Sequence, residues 1–225
     1  MGRLDAVARP ASMSARRDDL TLELAATAAR LIAEDGCDYR TAKRKAAQLV
    51  LGDAAGPRGR LLPENDLIET ELRRYLRTFG GERHAALIGE LRRSALALME
   101  YLETFNPFLV GAVLNGTATE HSVLHLHLFT DSAKDVEIFL LNDGIRFSVE
   151  DMAEPAGALE SIRLRMPHSL AGESGRAPEA VLSVLPTDAV RVASRFRSSD
   201  PMLTPTERLG RAGLPALRAL IAAAG

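Results

Sequence analysis

The chain has 225 residues, of which 46% are hydrophobic and 26% are charged, and its formal net charge is −2. This is the composition of a globular protein with a substantial core, and its charge balance favours neither nucleic acid nor an acidic membrane as a partner. The single cysteine, Cys37, excludes an internal disulfide and a multi-cysteine zinc site, which suits a reducing cytoplasm, and no apolar run approaches the ~20 residues of a membrane span.

The first half of the chain is predicted to be helical. Residues 1–17 lack the apolar core of a signal peptide, and we expect a disordered arm there. Apolar residues at helical spacing, with Thr41 as one N-cap and glycines as stops, predict helices over 19–35, 41–51, 64–79 and 83–105. The Gly- and Pro-containing segment 53–65 is predicted to be a loop. The sequence therefore predicts a helical region over 18–105.

A different pattern begins at Asn106–Pro107. Short apolar or alternating runs predict five strands, over 108–114, 122–129, 145–151, 161–166 and 181–185. A helix over 133–143 is predicted between the second and third strands, with Ser132 as its N-cap, Asp135 three residues on and Gly144 as its stop. Two more helices are predicted over 187–197 and 206–223. This order predicts an α+β domain over 106–225, built on an antiparallel or mixed sheet flanked by helices.

The stretch LNGTATEHSVLHLHLF, residues 114–129, carries three of the five histidines. Residues two apart on a strand point to the same side, so His125 and His127 are expected on one face, and His121 shares their parity if the strand starts early. Three imidazoles, joined by a nearby carboxylate such as Asp131, could bind zinc or iron and form a metal-dependent enzyme site. Alternatively, these histidines are incidental positions on a half-exposed strand.

The same stretch also contains the turn Gly116–Thr117 between two predicted strands. Together, FLVGAVLNGT, ATEHS, VLHLHLF, a helix and IRFSVED resemble the nucleotidyltransferase fold. In that family a strand leads into a Gly-Ser or Gly-Thr turn, followed by a Ser-Asp-x-Asp strand and later a further carboxylate. The turn brings backbone N–H groups close to a triphosphate, and the carboxylates hold two magnesium ions. The pattern GTAT…SxxHL is also similar to one found in short bacterial proteins.

The chain departs from this family at the two aspartate positions, which are Val123 and His125. Valine cannot ligate magnesium and imidazole is a poor ligand for it, so only Glu150 or Asp151 is left as an acidic position. The resemblance therefore implies a catalytically degenerate nucleotidyltransferase without two-metal activity. It implies a nucleotide- or phosphate-binding or regulatory module, with Mg-nucleotide as the expected ligand. Its expected ligand contacts are Gly116, Thr117, Ser122 and His125.

The N-terminal helices suggest a third function. The segment AARLIAEDG resembles the first helix of TetR-type DNA-binding regulators, and Lys43, Arg44 and Lys45 form a basic patch. The second and third helices of a helix-turn-helix are not recognisable, so we do not expect a nucleic acid partner. A DNA-binding or protein-interaction regulator that acts through these N-terminal helices remains an alternative, with a protein partner or a second copy of the chain as its expected partner.

Overall fold

A computed structural model describes residues 11–52, 62–150, 155, 157–170, 177–192, 197–198 and 200–224. The chain divides into two compact units, Met1–Gly80 and Gly81–Gly225. Helices come first and a mixed six-stranded sheet flanked by helices follows, so the predicted α+β class is confirmed. Among the described residues, no helix has the length and hydrophobicity needed to cross a membrane.

The first unit contains α1 (Ala11–Asp35), α2 (Tyr39–Leu51) and the beginning of α3 (Asn65–Tyr101). Helix α1 starts earlier than predicted and includes residues 11–17 of the expected arm. Helix α2 is capped by Asp38, not Thr41, because the Asp38 carboxylate accepts the Thr41 N–H at 2.9 Å. These helices bury a shared apolar core that includes Leu24, Ile68 and Leu72. Most of the predicted 53–65 loop lies outside the described residues.

Helix α3 is interrupted at Gly81, whose φ of 49° and ψ of −139° are not helical. The two units divide at this glycine. The part of α3 that follows Gly81 buries Leu91, Leu98 and Met99 in the same apolar cluster as the sheet. This part of α3 therefore belongs to the second unit, whereas the sequence pattern predicted it as part of the helical region over 18–105. A short 3₁₀ turn, Glu103–Phe105, leads into the sheet.

The sheet has six strands in the order β3-β4-β5-β2-β1-β6. Strands β2 and β5 are parallel, and the other neighbouring pairs are antiparallel. The strands are β1 (Pro107–Val110), β2 (Leu124–Phe129), β3 (Phe147–Val149), β4 (Glu160–Arg165), β5 (Glu179–Leu185) and β6 (Ala212–Gly213). The remaining helices are α4 (Gly111–Asn115), α5 (Ala133–Asn142), α6 (Pro205–Arg208) and α7 (Leu214–Ala222).

One face of the sheet carries the core. Leu124, Leu126 and Leu128 of β2 are fully buried there, in a cluster with side chains from α3, α5 and α7. Because side chains alternate along a strand, His125 and His127 lie on the opposite side of β2. We call that side of the sheet the histidine face.

Three further predicted elements differ from the structure. The strand predicted over 108–114 ends at Val110, because Gly111, at φ 73°, turns the chain into α4. The helix predicted over 187–197 is only a 3₁₀ turn, Thr187–Arg191, in its described part. The helix predicted over 206–223 is split into α6 and α7, with β6 between them.

Candidate functional site

The loop between α4 and β2 contains three of the four residues expected to contact phosphate. Gly116 ends α4 in the left-handed conformation, at φ 77°. The N–H groups of Gly116, Thr117 and Ala118 all donate to the carbonyl of Ala112, the latter two at 2.9 and 3.1 Å. These three N–H groups therefore cap the C-terminal end of α4 through hydrogen bonds within the chain. A different glycine, Gly111, makes the turn directly after the buried strand.

Ser122 completes the same loop. Its Oγ accepts the N–H of Thr119 at 2.8 Å, and its own N–H donates to the Thr119 carbonyl at 3.0 Å. The N–H of His121 donates to the Thr119 hydroxyl at 3.3 Å. The segment before β2 is thus held by local polar contacts, and the Ser122 hydroxyl proton remains able to donate.

His125 and His127 lie side by side on the histidine face. His125 pairs with Val110 of β1 and Val181 of β5, and His127 pairs with Phe108 and Ser183. His125 is exposed and packs against Gly111, where an added Cβ would lie 3.9 Å from the His125 Cβ.

His121 does not join the other two histidines in a metal site. It lies in an exposed turn before β2. No three His, Cys, Asp or Glu side chains in the described ranges are grouped to hold a metal ion. The three-histidine metal site expected from the spacing is therefore not formed by the described residues.

The imidazole of His127 is half-buried. Burial, followed by the charges of His125 and Arg211, lowers the pKa of His127 to about 4. Its ring is therefore neutral near pH 7, when it can donate one hydrogen bond and accept another.

Two residues that the sequence did not single out lie beside His127. Phe108 is its cross-strand neighbour on β1, and Arg211 stands over the Phe108 ring, with its Cζ 5.4 Å from the ring centroid. Arg211 also donates to the carbonyl of Val190 at 2.8 Å, which holds its guanidinium in place. Gly213 of β6 pairs with Phe108, and a Cβ there would lie 3.3 Å from the ring. The resulting cluster combines an aromatic ring, a guanidinium and two imidazoles.

The carboxylates on this face are paired with arginines. Glu150 lies 2.7 Å from Arg163, and Glu179 lies 3.5 Å from Arg163 and 3.6 Å from Arg165. Glu150 is also distant in the sheet order, since β4 and β5 lie between β3 and β2. The acidic residue on the strand next to the histidines is Glu179, on β5. Asp151 lies outside the described residues.

A buried ion pair connects the C-terminal end of α4 to α3 and α6. Arg92 lies 2.7 Å from Glu207, and only 8% and 11% of their side chains are exposed. Arg92 also donates to the carbonyls of Val113 at 3.1 Å and Leu114 at 2.6 Å. Burial alone would raise the pKa of Glu207, but hydrogen bonds from Thr204 and Arg92 together lower it. Arg92 therefore satisfies the last carbonyls of α4 and ties them to α6.

The basic patch of the first unit is partly neutralised. Lys45 lies 3.8 Å from Asp35 and 3.4 Å from the Cys37 sulfur, and Lys43 is half-buried. Arg44 alone of the three is exposed and makes no ion pair with another described residue.

No family model matches this chain, and neither a curated protein nor a solved structure matches it. The geometry of the histidine face is therefore the basis of the functional argument.

Proposed function

We propose that the histidine face binds a phosphate-bearing small molecule, such as a nucleotide, and does not perform two-metal phosphoryl transfer. The observation that carries this proposal is the cluster of Arg211, Phe108, His125 and His127 on one side of the central strands. This proposal keeps the nucleotide- or phosphate-binding module implied by the resemblance, but side chains replace the Gly116–Thr117 turn as its main ligand contacts.

The chemistry of the cluster favours an anionic ligand. A guanidinium forms paired, charge-assisted hydrogen bonds to phosphate oxygens. The Val190 carbonyl uses one Nη2 hydrogen of Arg211, which leaves further N–H donors on the same group. His125 adds an exposed ring whose protonated form attracts negative charge. The half-buried Phe108 ring offers an apolar surface for the uncharged part of the ligand.

The resemblance supports the part of the proposal that excludes two-metal chemistry. Where the nucleotidyltransferase pattern has its two aspartates, this chain has Val123 and His125, and magnesium requires oxygen ligands. Glu150 and Glu179 are engaged with arginines, whose positive charge opposes a cation at the same place. We therefore expect ligand binding that does not depend on magnesium.

A thermal-melt screen tests the proposal. Metal-stripped protein is mixed with ATP, GTP, their diphosphates or inorganic phosphate, each with EDTA and with magnesium. A ligand that binds only the folded state raises the midpoint. We expect a phosphate compound to raise it equally in EDTA and in magnesium, and we expect Arg211→Met to lose the shift.

The control variant is Arg218→Met, which removes an exposed arginine of α7 that is paired with Glu100 of α3 and should keep the shift. Wild-type protein that shows no shift with any phosphate compound contradicts the proposal. A shift with zinc or iron alone, lost in His127→Ala, favours a metal-dependent enzyme instead.

A further inference from the structure

The β3 strand forms one end of the sheet, and among the described residues no strand pairs with its outer side. The Glu150 N–H donates inward to the Ser161 carbonyl at 2.9 Å, and Ser148 pairs with Arg163 in the same register. Backbone groups alternate along an antiparallel strand. The N–H and C=O groups of Phe147 and Val149 therefore point outward, away from β4. Such an open edge is a template for pairing with another strand.

The side chains along this edge have a distinct pattern on each face. Phe147 and Val149 lie on the helix side, since they pair with Leu164 and Ile162 of the core, yet Val149 is 45% exposed. Leu141, near the end of α5, is 62% exposed. Arg146 and Ser148, on the other side, are also exposed. The edge thus offers an apolar row and a polar row.

The polar row is self-complementary under a two-fold axis. If two copies of β3 run antiparallel with Ser148 opposite Ser148, Arg146 of each copy faces Glu150 of the other. Phe147 then faces Val149 on the apolar side. In this register the outward N–H and C=O groups of Phe147 in one copy form hydrogen bonds with those of Val149 in the other. The same register therefore pairs the backbone groups, the opposite charges and the apolar side chains. An interface related by a two-fold axis requires this kind of self-matching.

We propose that two copies of the chain pair their β3 edges antiparallel about a two-fold axis at Ser148. The two six-stranded sheets join into one continuous sheet. On one side, Glu150 bridges its own Arg163 and Arg146 of the second copy. On the other, Phe147 and Val149 bury each other. This dimer does not depend on the ligand proposed for the histidine face.

The test uses a charge swap, read by sedimentation equilibrium of the full chain. Wild-type protein is expected to have twice the 24.3 kDa mass of one chain. Arg146→Glu and Glu150→Arg each place like charges opposite one another and are expected to be monomers. In their equimolar mixture, one copy of each restores both opposite-charge pairs, so the dimer mass should return. Arg44→Glu changes an exposed arginine on α2 and should remain dimeric.

Amide hydrogen exchange provides a second readout. The outward N–H groups of Phe147 and Val149 should exchange slowly in the dimer and rapidly in Arg146→Glu. Val149→Lys changes an exposed side chain on the apolar row and should also give a monomer. This variant keeps the proposal testable if Glu150→Arg does not fold. A wild-type monomer overturns the proposal. The proposal is also overturned if both Arg146→Glu and Val149→Lys remain dimeric. It is overturned as well if folded Arg146→Glu and Glu150→Arg stay monomeric when they are mixed.

Discussion

Acidification is expected to destabilise this protein through His127. The pKa of its imidazole is lowered from 6.5 to about 4 in the folded chain, first by burial and then by the charges of His125 and Arg211. Between these two pH values the unfolded chain binds a proton that the folded chain does not. The stabilisation associated with the neutral ring is thus complete above pH 6.5 and is lost as the pH falls towards 4.

The size of the effect follows from the pKa difference. Each unit is worth roughly 1.4 kcal/mol, so a shift from 6.5 to about 4 amounts to about 3 kcal/mol once His127 is protonated in both states. At pH 5 the loss is about 2 kcal/mol, because the folded ring is still mostly neutral there. Burial also lowers the pKa of His84, which adds to the acid sensitivity of every variant that keeps this residue.

Urea unfolding at one protein concentration, at pH 7.5, 6 and 5, measures this contribution. We expect His127→Gln to lose about 2 kcal/mol less than wild type across this interval, although its stability at pH 7.5 can differ. His168→Gln removes an exposed histidine of the same unit and should follow wild type. If the stability of His127→Gln falls with pH in parallel with that of wild type, His127 is not a source of the acid sensitivity.

Three further changes in stability can be measured in the same unfolding assay. Arg92→Met leaves Glu207 buried without its partner and should cost about 3 kcal/mol, whereas Arg218→Met, in an exposed pair, should cost under about 1 kcal/mol. Gly116→Ala forces a side chain into φ 77° and should cost about 1 kcal/mol, while Gly89→Ala within α3 should stabilise by about 1 kcal/mol. Leu126→Ala, at a fully buried position, should cost about 2–5 kcal/mol. Two results would contradict the packing described here. One is an equal change in unfolding free energy for the two arginine variants or for the two glycine variants, and the other is a loss under about 1 kcal/mol in Leu126→Ala.

Elements determined by local contacts were predictable from the sequence. Helix α5 begins where its cap indicated, and Ser132 accepts the Asp135 N–H at 3.2 Å. The alternation in β2 correctly placed His125 and His127 together on the side opposite the buried leucines. In both cases the decisive interactions involve residues only two to four positions apart, so the pattern carries the information.

Elements determined by distant contacts were not predictable. The strand β6 interrupts an apparently continuous helical pattern because Ala212 and Gly213 pair with β1, more than a hundred residues earlier. Arg211 reaches Phe108 for the same reason, so the cluster that carries the proposed function has no local signature. The Gly116–Thr117 turn is a case in which a local sequence pattern does not reveal the hydrogen-bond partners. Its sequence is typical of a phosphate turn, but its N–H groups cap α4.

An NMR titration of the histidine side chains with ATP in EDTA probes phosphate binding at the histidine face residue by residue. We expect saturable shifts of the His125 and His127 imidazole signals, no shift at the exposed His168, and loss of these shifts in Arg211→Met. Imidazole signals that stay unchanged up to millimolar ATP, GTP and phosphate, or that move only when zinc or iron is added, would contradict phosphate binding at the histidine face.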